Sequence, residues 1–279
     1  AAVGFGGYRE SGFGREGGRE GVYEYVKPKA WAGRKPRAVE PAATLRAVVA
    51  GFEQPPVDRT AKLFIGGKQA RPDGNYSRPV LSPKGTLVGE VGEGNRKDIR
   101  NAVAAARAAE GWSRATAHNR AQILYYLAEN LSARAPEFAG RIGAMTGASR
   151  AKAAAEVEAS IARLFSYGAW ADKFEGAVHA PPLRGVALAM HEPIGVAGVV
   201  CPDEAPLLAF VSLVAPLVAM GNRVVAVPSE RHPLAATDLY QVIETSDVPA
   251  GVVNIVTGAR DALTKTLADQ TVRAEALLA

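Results

Sequence analysis

The stretch at residues 195–230, GVAGVVCPDEAPLLAFVSLVAPLVAMGNRVVAVPSE, decides the fold. A short apolar run, Val196–Cys201, is followed by a long apolar segment, Leu207–Met220, and then by a second Val-rich run, Arg223–Val227. Short apolar runs bounded by turn residues are typical of buried strands, and the longer segment between them is typical of a covered helix. The stretch has roughly the thirty residues that a right-handed β–α–β crossover needs. We therefore predict an α/β fold with a parallel sheet and flanking helices.

The carboxyl ends of the two predicted strands are the first candidates for a binding site. In a sheet of this kind, ligands bind at the carboxyl ends of the parallel strands. Here these ends are Cys201–Glu204 and Val227–Glu230. Gly12, Gly14 and Gly17 also satisfy a G-x-G-x-x-G spacing, but that pattern indicates a dinucleotide site only between a strand and a helix, and neither is visible around them. We therefore expect any cofactor to bind at the strand ends.

Composition limits the classes of function. The 279 residues, 48% hydrophobic and 22% charged, are typical of a folded, soluble protein with one large domain or two ordinary ones. The single cysteine excludes an internal disulfide and is compatible with a reducing compartment, so a cytoplasmic location is expected. The longest apolar run, Ala205–Met220, is shorter than the roughly 18 residues of a membrane span and contains two prolines. The net charge of +5 is not gathered into a basic stripe with stacking aromatics, so no nucleic-acid partner is expected. The histidines lack ligand spacing, which predicts no metal: His118, His179, His191 and His232.

The chain falls into three segments of different character. Residues 1–28 are Gly-rich and charged, with an alternating pattern at 22–26 that suits a strand. Residues 29–60 contain four prolines and are predicted to form a linker. From residue 61 onward, further strands are predicted at 63–65 (ending in a glycine hairpin turn), 80–81, 87–91, 186–190 and 251–256, and helices at 96–110, 120–131, 136–145, 149–174, 237–245 and 261–269. The last segment, TVRAEALLA, carries no turn or cap.

Several of these stretches together resemble the aldehyde dehydrogenase superfamily over nearly the whole chain, in an unusual order. Residues 4–28, which begin GFGGYRESGFGREGG, are similar to the family's carboxy-terminal signature and the strand that follows it. Later segments are similar, in the family's own order, to its amino-terminal half: IGG at 65–67, EPIGVAGVVCP at 192–202, GNRVVAVPSE at 221–230 and PAGVVNIVTG at 249–258. A carboxy-terminal segment followed by an amino-terminal half is the order expected at the junction of a two-copy protein. Family 16 of the superfamily has two such copies in one chain, and its second copy lacks the catalytic cysteine.

This resemblance implies a domain organisation and a fold. Residues 1–28 correspond to the tail of a first aldehyde dehydrogenase unit, and residues 29–60 to the linker. Residues 61–279 correspond to the amino-terminal, NAD-binding-type half of a second unit. The fold expected for that half is a Rossmann-like parallel sheet with helices on both sides.

The family's chemistry is attack of a cysteine thiolate on an aldehyde, hydride transfer to NAD or NADP, and hydrolysis of the thioester to a carboxylic acid. In the family the nucleophilic cysteine and the general-base glutamate lie beyond the position of Ala279, so no catalytic residue is assigned to this chain. Cys201 stands where the family has an apolar residue, and no Lys, Arg or His adjoins it in sequence to lower its pKa. We expect Cys201 to be a small apolar packing residue rather than a substitute nucleophile.

Cofactor contacts are implied for Pro202, Ser229 and Glu230, which match family positions. The family's lysine, which binds the adenosine ribose, is replaced here by Val227, and the family's further glycines are replaced by Ala259-Arg260-Asp261. Glu230 has two interpretations that the sequence leaves open. It is either the acceptor for the ribose hydroxyls or the negative charge at the N-terminus of the next helix.

Two further positions bear on catalysis and substrate. Glu204 stands where the family places the asparagine of the oxyanion hole. A carboxylate has no N–H to donate, and losing one such donor costs roughly 3–4 kcal/mol in a working site. Phe5 matches an aromatic residue that lines the family's substrate tunnel, with ordinary packing as the alternative interpretation.

Three functions remain open on the sequence. In the first, the chain is a piece of an NAD(P)-dependent enzyme that oxidises a small-molecule aldehyde, and the piece is inactive alone. Alternatively, it belongs to a pseudoenzyme that serves as a scaffold or assembly module, or it binds a dinucleotide without catalysis. Because the family's tail strand joins subunits or domains, we also expect a homo-oligomer or docking with the other aldehyde dehydrogenase copy.

Overall fold

The computed structural model describes residues 59–174, 176–180, 182 and 184–271, together with short strands at 5–6, 15–16 and 276–278. The predicted strand at 22–26 and the predicted linker, apart from its last two residues, lie outside this description. The chain divides into two compact units. The larger comprises Arg59–Gly176 and Met190–Ala279, and the smaller includes Ala177–Ala189.

The described elements alternate between strands and helices over most of the larger unit. The strands are β1 Phe5–Gly6, β2 Arg15–Glu16, β3 Leu63–Ile65, β4 Lys68–Ala70, β5 Ser77–Leu81, β6 Leu87–Gly92, β7 Ala177–His179, β8 Ala187–Ala189, β9 Val196–Val200, β10 Arg223–Val227, β11 Val253–Ile255 and β12 Ala276–Leu278. The α-helices are α1 Arg96–Ala108, α2 Ala117–Ala133, α3 Ala135–Thr146, α4 Arg150–Ala171, α5 Pro206–Ala219, α6 Leu234–Glu244 and α7 Arg260–Thr271, with a 3₁₀ turn at Glu110–Arg114.

The predicted crossover is confirmed. Strands β9 and β10 are parallel, with Val196 opposite Arg223 and Val200 opposite Val227, and α5 connects them. Asn222 joins the two ends of this unit, because its side chain accepts from Gly195 N at 2.9 Å and donates to Leu217 O at 3.1 Å. Every residue of β9 and β10 is buried, as the unbroken apolar runs predict.

The principal sheet has six strands in the order β12-β9-β10-β11-β3-β4. The first four are parallel, and β3 and β4 are added in antiparallel orientation. The parallel strands therefore have the order of a doubly wound sheet, in which the chain first runs β9, β10, β11 to one side and then returns to place β12 on the other. The expected Rossmann-like fold is confirmed.

Side chains of the sheet alternate between two apolar layers. Val225 and Val227 pack in one buried cluster with residues of α1 and α7, such as Ile99 and Leu263. Val224 and Ala226 belong to the other cluster, with residues of α5 and α6 and of the helices behind them. Because both faces of the sheet are covered, its functional groups are confined to the edges where the strands end.

Smaller predictions differ in outcome. The hairpin after β3 is confirmed, with Gly66 and Gly67 at φ of 63° and 75°. Gly147 ends α3 in the left-handed conformation, also as predicted. The predicted strand at 186–190 is present as β8, but it pairs with the unpredicted β7 in a hairpin of the smaller unit. Strand β12 was not predicted, because no turn residues flank it and only pairing with β9 identifies it.

Among the residues described, no helix combines the length and the apolar character that crossing a membrane requires.

Candidate functional site at the carboxyl ends of the strands

Three loops meet where β9, β10 and β11 end. They comprise residues 201–205, 228–233 and 256–259. Because these strands are parallel neighbours, their carboxyl ends lie at one edge of the sheet, where this class of fold binds ligands. The predicted cofactor residues Pro202, Ser229 and Glu230 all lie in these loops.

Asp203 is the centre of the polar contacts at this edge. One oxygen, Oδ1, accepts from Ser229 Oγ at 2.7 Å, from Arg260 Nη2 at 2.6 Å and from Arg231 N at 3.3 Å. Burial by itself raises the pKa of Asp203, but the hydrogen bonds from Ser229 and Arg231 and the charge of Arg260 outweigh it and hold the pKa below its ordinary value. Asp203 is therefore ionised at neutral pH and already paired.

Ser229 lies beneath Asp203 and is only 1% exposed. Its hydroxyl donates to Asp203 and accepts from His232 N at 2.9 Å. The ring nitrogen Nδ1 of His232 lies 3.1 Å from the carbonyl oxygen of Asp203, which closes a ring of contacts between the first two loops. The side chain of Ser229 thus holds these loops together, while Pro202 is exposed on the rim.

Glu230 is half-buried and contacts the third loop. Its Oε2 accepts from Arg260 N at 2.9 Å, and Arg260 is the first residue of α7. Its backbone oxygen accepts from Arg78 Nη2 at 2.7 Å. The helix-terminal interpretation from the sequence named the next helix, α6, whereas the carboxylate of Glu230 contacts the N-terminus of α7. The structure does not test the ribose interpretation.

Glu204 is exposed, and none of its atoms makes a hydrogen bond or ion pair with a residue that the structure describes. The following residue, Ala205, has φ 45° and ψ 62°, a left-handed conformation that is uncommon outside glycine. This turn points the chain into α5. The first turn of α5 is capped by Glu156 of α4, whose Oε1 accepts from Leu207 N at 2.9 Å and from Leu208 N at 3.3 Å.

Cys201 is buried at the end of β9, and its N–H bonds to Val227 O at 2.9 Å. Burial raises the pKa of its thiol from an ordinary 9.0 to about 12, and the charge of Arg260 offsets this only partly. At neutral pH the group is therefore a neutral thiol, not the thiolate that nucleophilic attack requires.

The remaining predictions concern the substrate tunnel and metal binding. The side chain of Phe5 lies outside the described residues, so its position in a substrate tunnel stays a prediction. Over the described part of the chain, no group of three or more His, Cys, Asp or Glu side chains is placed to hold a metal ion.

The sequence did not reveal the pairs that dominate this edge. Asp203 and Arg260 are separated by 57 positions in the sequence. They can pair only because β9 and β11, the strands that precede them, lie on either side of β10 and end at the same edge of the sheet. Glu156 gave no signal at all, because its helix precedes the crossover and its approach to α5 depends on helix packing. The fold rule for parallel sheets could have found the first pair, since it brings all three loops together.

The doubly wound sheet and the polar groups at its strand ends define a chain of the dinucleotide-binding type. Comparison with known proteins is more specific, because residues 69–275 match the model of the aldehyde dehydrogenase family. The chain belongs to the aldehyde dehydrogenase family. The superfamily predicted from the sequence is confirmed.

Individual relatives show the extent of the match. The chain is 36% identical over 212 residues to the mitochondrial benzaldehyde dehydrogenase of Antirrhinum majus, which covers 74% of this chain and 40% of that protein. It is 36% identical over 207 residues to the 2-hydroxymuconic semialdehyde dehydrogenase of Pseudomonas putida, covering 71% of this chain and 42% of that protein. The chain thus spans about two fifths of the length of these relatives.

Solved structures agree with the fold. An NAD-dependent aldehyde dehydrogenase from Sinorhizobium meliloti superposes with a TM-score of 0.73 at 27% identity, over 75% of this chain and 43% of that one. A betaine aldehyde dehydrogenase from Staphylococcus aureus, solved with NAD+, gives a TM-score of 0.74 over 76% of this chain and 44% of that one. At 24% identity, the second comparison supports the fold alone.

Proposed function

We propose that this chain is part of a two-copy aldehyde dehydrogenase of the family 16 type. In this proposal, residues 1–28 are the tail of the first unit, 29–60 the linker and 61–279 the amino-terminal half of the second unit. The match to the family over residues 69–275 supports the assignment of the last segment. The parent protein oxidises an aldehyde to a carboxylic acid with NAD or NADP, a role supported by the names and cofactors of the relatives.

The cofactor-facing residues of the proposed unit are Pro202, Ser229 and Glu230. Their support is positional, because all three lie in loops that follow parallel strands. Phe5 belongs in this proposal to the substrate tunnel of the first unit. None of these residues performs the chemical step.

We further propose that this chain alone has no dehydrogenase activity. The observation that carries this proposal is the buried Cys201, the single cysteine of the sequence, whose pKa is raised to about 12. A neutral, enclosed thiol does not attack an aldehyde. Glu204 adds to it, since an exposed carboxylate at the oxyanion position repels the negative oxygen of the intermediate.

An activity assay tests this proposal. The purified chain is incubated with benzaldehyde and NAD or NADP, and reduced cofactor is followed by absorbance, with a full-length aldehyde dehydrogenase as positive control. We expect no aldehyde-dependent reduction above the blank. Turnover that disappears in Cys201→Ala would contradict both the proposal and the structural role of the cysteine.

Sequencing of the parent gene tests the two-copy arrangement separately. We expect an aldehyde dehydrogenase unit with a cysteine nucleophile before Ala1 and the remainder of a second unit after Ala279. A parent protein with a single unit, or with no such cysteine upstream, would refute the arrangement but leave membership of the family intact.

The second candidate function is a scaffold that assembles copies or units. The β7–β8 hairpin favours it, because the paired residues Val178 and Leu188 are 73% and 63% exposed. Exposed apolar side chains side by side on a hairpin are typical of a contact surface. The partner in this proposal is a second copy of the chain or the other aldehyde dehydrogenase unit.

The double variant Val178→Ser/Leu188→Ser tests the hairpin surface by light scattering after size-exclusion chromatography. We expect the wild-type chain to self-associate with increasing concentration and the variant to be shifted toward the monomer. Tyr76→Ser is the matched control, since Tyr76 is equally exposed at 73% but lies in the larger unit. Equal association of wild type and double variant would rule out the hairpin as the contact.

A further inference from the structure

We infer that the strand-end crevice of this chain is held closed by the Asp203–Arg260 ion pair, which a nucleotide has to displace before it binds. The inference rests on the proposed function, because it concerns the same crevice and explains what regulates access to it. Arg260 is thereby a determinant of nucleotide affinity rather than a catalytic residue.

The position of the pair follows from the sheet order. Strand β10 lies between β9 and β11, so the loops that carry Asp203 and Arg260 are about 10 Å apart at their strand ends. The guanidinium of Arg260 crosses that gap and reaches Asp203 Oδ1 at 2.6 Å. The contact therefore spans the carboxyl end of β10, at the edge of the sheet where the parallel strands of this fold bind ligands. This is one strand away from the reversal of strand order between β9 and β12.

One oxygen of the carboxylate that a ribose would use is already hydrogen-bonded within the chain. In dinucleotide-binding folds, an acidic residue near the end of the second strand accepts from the ribose hydroxyls. Here Glu230 follows the second strand, and its Oε2 accepts from the backbone N–H of Arg260. Arg260 thus donates to Glu230 through its backbone N–H and to Asp203 through its guanidinium.

The anion site of the crossover helix is occupied as well. Helix N-termini bind phosphates through their free N–H groups. In α5 the N–H groups of Leu207 and Leu208 donate to the carboxylate of Glu156. A pyrophosphate group would have to compete with this internal anion.

The closed arrangement is not fully satisfied, and this makes it displaceable. Arg260 Nε is buried and lacks a hydrogen-bond partner among the described residues. A buried donor without a partner weakens the state that contains it. In this inference the free chain is mainly closed, and apparent nucleotide affinity is reduced because only the small fraction of open molecules binds.

Calorimetric titration with NAD tests the inference on three variants of the full chain. Arg260→Ala removes the guanidinium, and Asp203→Asn removes the negative charge while keeping an oxygen for Ser229. Arg231→Ala is the matched control, because it removes the same charge from the same edge and its side chain makes no contact that the structure describes. Thermal melts establish that each variant is folded.

We expect Arg260→Ala and Asp203→Asn each to bind NAD at least tenfold more tightly than the wild type, with Arg231→Ala unchanged or weaker. Affinities equal to that of Arg231→Ala would overturn the inference. If Arg260→Ala is unfolded, Asp203→Asn decides. Failure of both to fold would also overturn it, because the pair would then be structural rather than displaceable.

The outcome is separable from that of the proposed function. Aldehyde-dependent turnover by the wild-type chain would contradict the absence of catalysis, whatever the ratio of affinities. A tenfold gain without turnover supports both proposals. If the wild type binds NAD as tightly as Arg260→Ala and Asp203→Asn, the closed crevice is refuted and the proposed function is unaffected.

Discussion

Asp203 and Glu204 are adjacent carboxylates with opposite surroundings. The side chain of Asp203 accepts three hydrogen bonds, one of them from Arg260, whereas Glu204 is exposed and free of described contacts. The difference follows from the turn, because Asp203 faces the neighbouring loops while Glu204 leads into the left-handed Ala205. The sequence singles out Glu204 of the two, because it stands at the family's oxyanion-hole position. The structure gives the larger energetic role to Asp203.

The buried Cys201 makes the stability of the chain depend on alkaline pH. Burial raises the pKa of its thiol to about 12, so above pH 9 the unfolded state loses a proton that the folded state keeps. The free energy of unfolding therefore falls as the pH rises from 9 toward 12. We expect wild type to lose about 1 kcal/mol more than Cys201→Ala between pH 8 and pH 10, measured by denaturant unfolding.

Cys201→Ala is itself the control for this prediction, because it removes the thiol and leaves the other alkaline groups in place. An identical pH dependence in both proteins would show that the thiol titrates normally. It would also reopen the interpretation of Cys201 as a reactive residue.

At the scale of elements, the sequence predicted the crossover well. The predicted bounds of β10 agree with the structure. The predicted β9 is one residue too long at its C-terminal end, and the predicted α5 begins and ends one residue too late. Apolar runs of this length leave few alternatives once turn residues bound them. Strands β7 and β12 were not predicted, because neither is an apolar run bounded by turn residues and each is defined by its partner strand.

The cap on α5 gives a prediction at this scale. Glu156→Gln keeps an oxygen acceptor for Leu207 N and Leu208 N but removes the charge that favours a helix N-terminus. We expect the free energy of unfolding to fall by about 0.5–1 kcal/mol, and Glu156→Ala to lose about 1–2 kcal/mol because both N–H groups lose their partner. Chemical denaturation of the purified variants measures both values.

Glu158→Gln is the matched control, because Glu158 lies two residues further along the same helix and is exposed. It should change stability by less than about 0.5 kcal/mol. Equal losses at positions 156 and 158 would mean that general helix charge, not the cap, is responsible.

At the scale of the whole molecule, the sheet is enclosed by close packing that also places β11. Gly251, just before β11, has φ 85°, and a Cβ there would lie 2.5 Å from the carbonyl oxygen of Ala105 in α1. We expect Gly251→Ala to lower the free energy of unfolding by about 2–4 kcal/mol, because strain and overlap add. Thermal and denaturant unfolding both measure this loss.

Gly140→Ala is the contrasting substitution. Gly140 is exposed in α3, and a Cβ there meets nothing within 4 Å. We expect a gain of about 0.5–1 kcal/mol, since alanine loses less backbone entropy in a helix. A loss at Gly140 comparable to that at Gly251 would show that close packing against α1 is not what makes Gly251 sensitive.

The candidate site shows where prediction from sequence stops. The positions of Pro202, Ser229 and Glu230 follow from a local pattern, since each lies two or three residues after the end of an apolar strand. Their partners do not, because hydrogen bonds between loops depend on which strands are neighbours and on side-chain length. The sequence therefore locates the edge of the sheet, and only the three-dimensional arrangement shows that Asp203 Oδ1 and Glu230 Oε2 are hydrogen-bonded to Arg260.

The buried amide of Asn222 has a consequence for hydrogen exchange. Gly195 lies in a loop before β9, where backbone N–H groups ordinarily exchange quickly with solvent. Its N–H is instead buried and bonded to Asn222 Oδ1, so deuterium reaches it only when the turn after α5 opens. Slow exchange at this one loop glycine thus reports that the crossover is intact, without any ligand or activity to signal it.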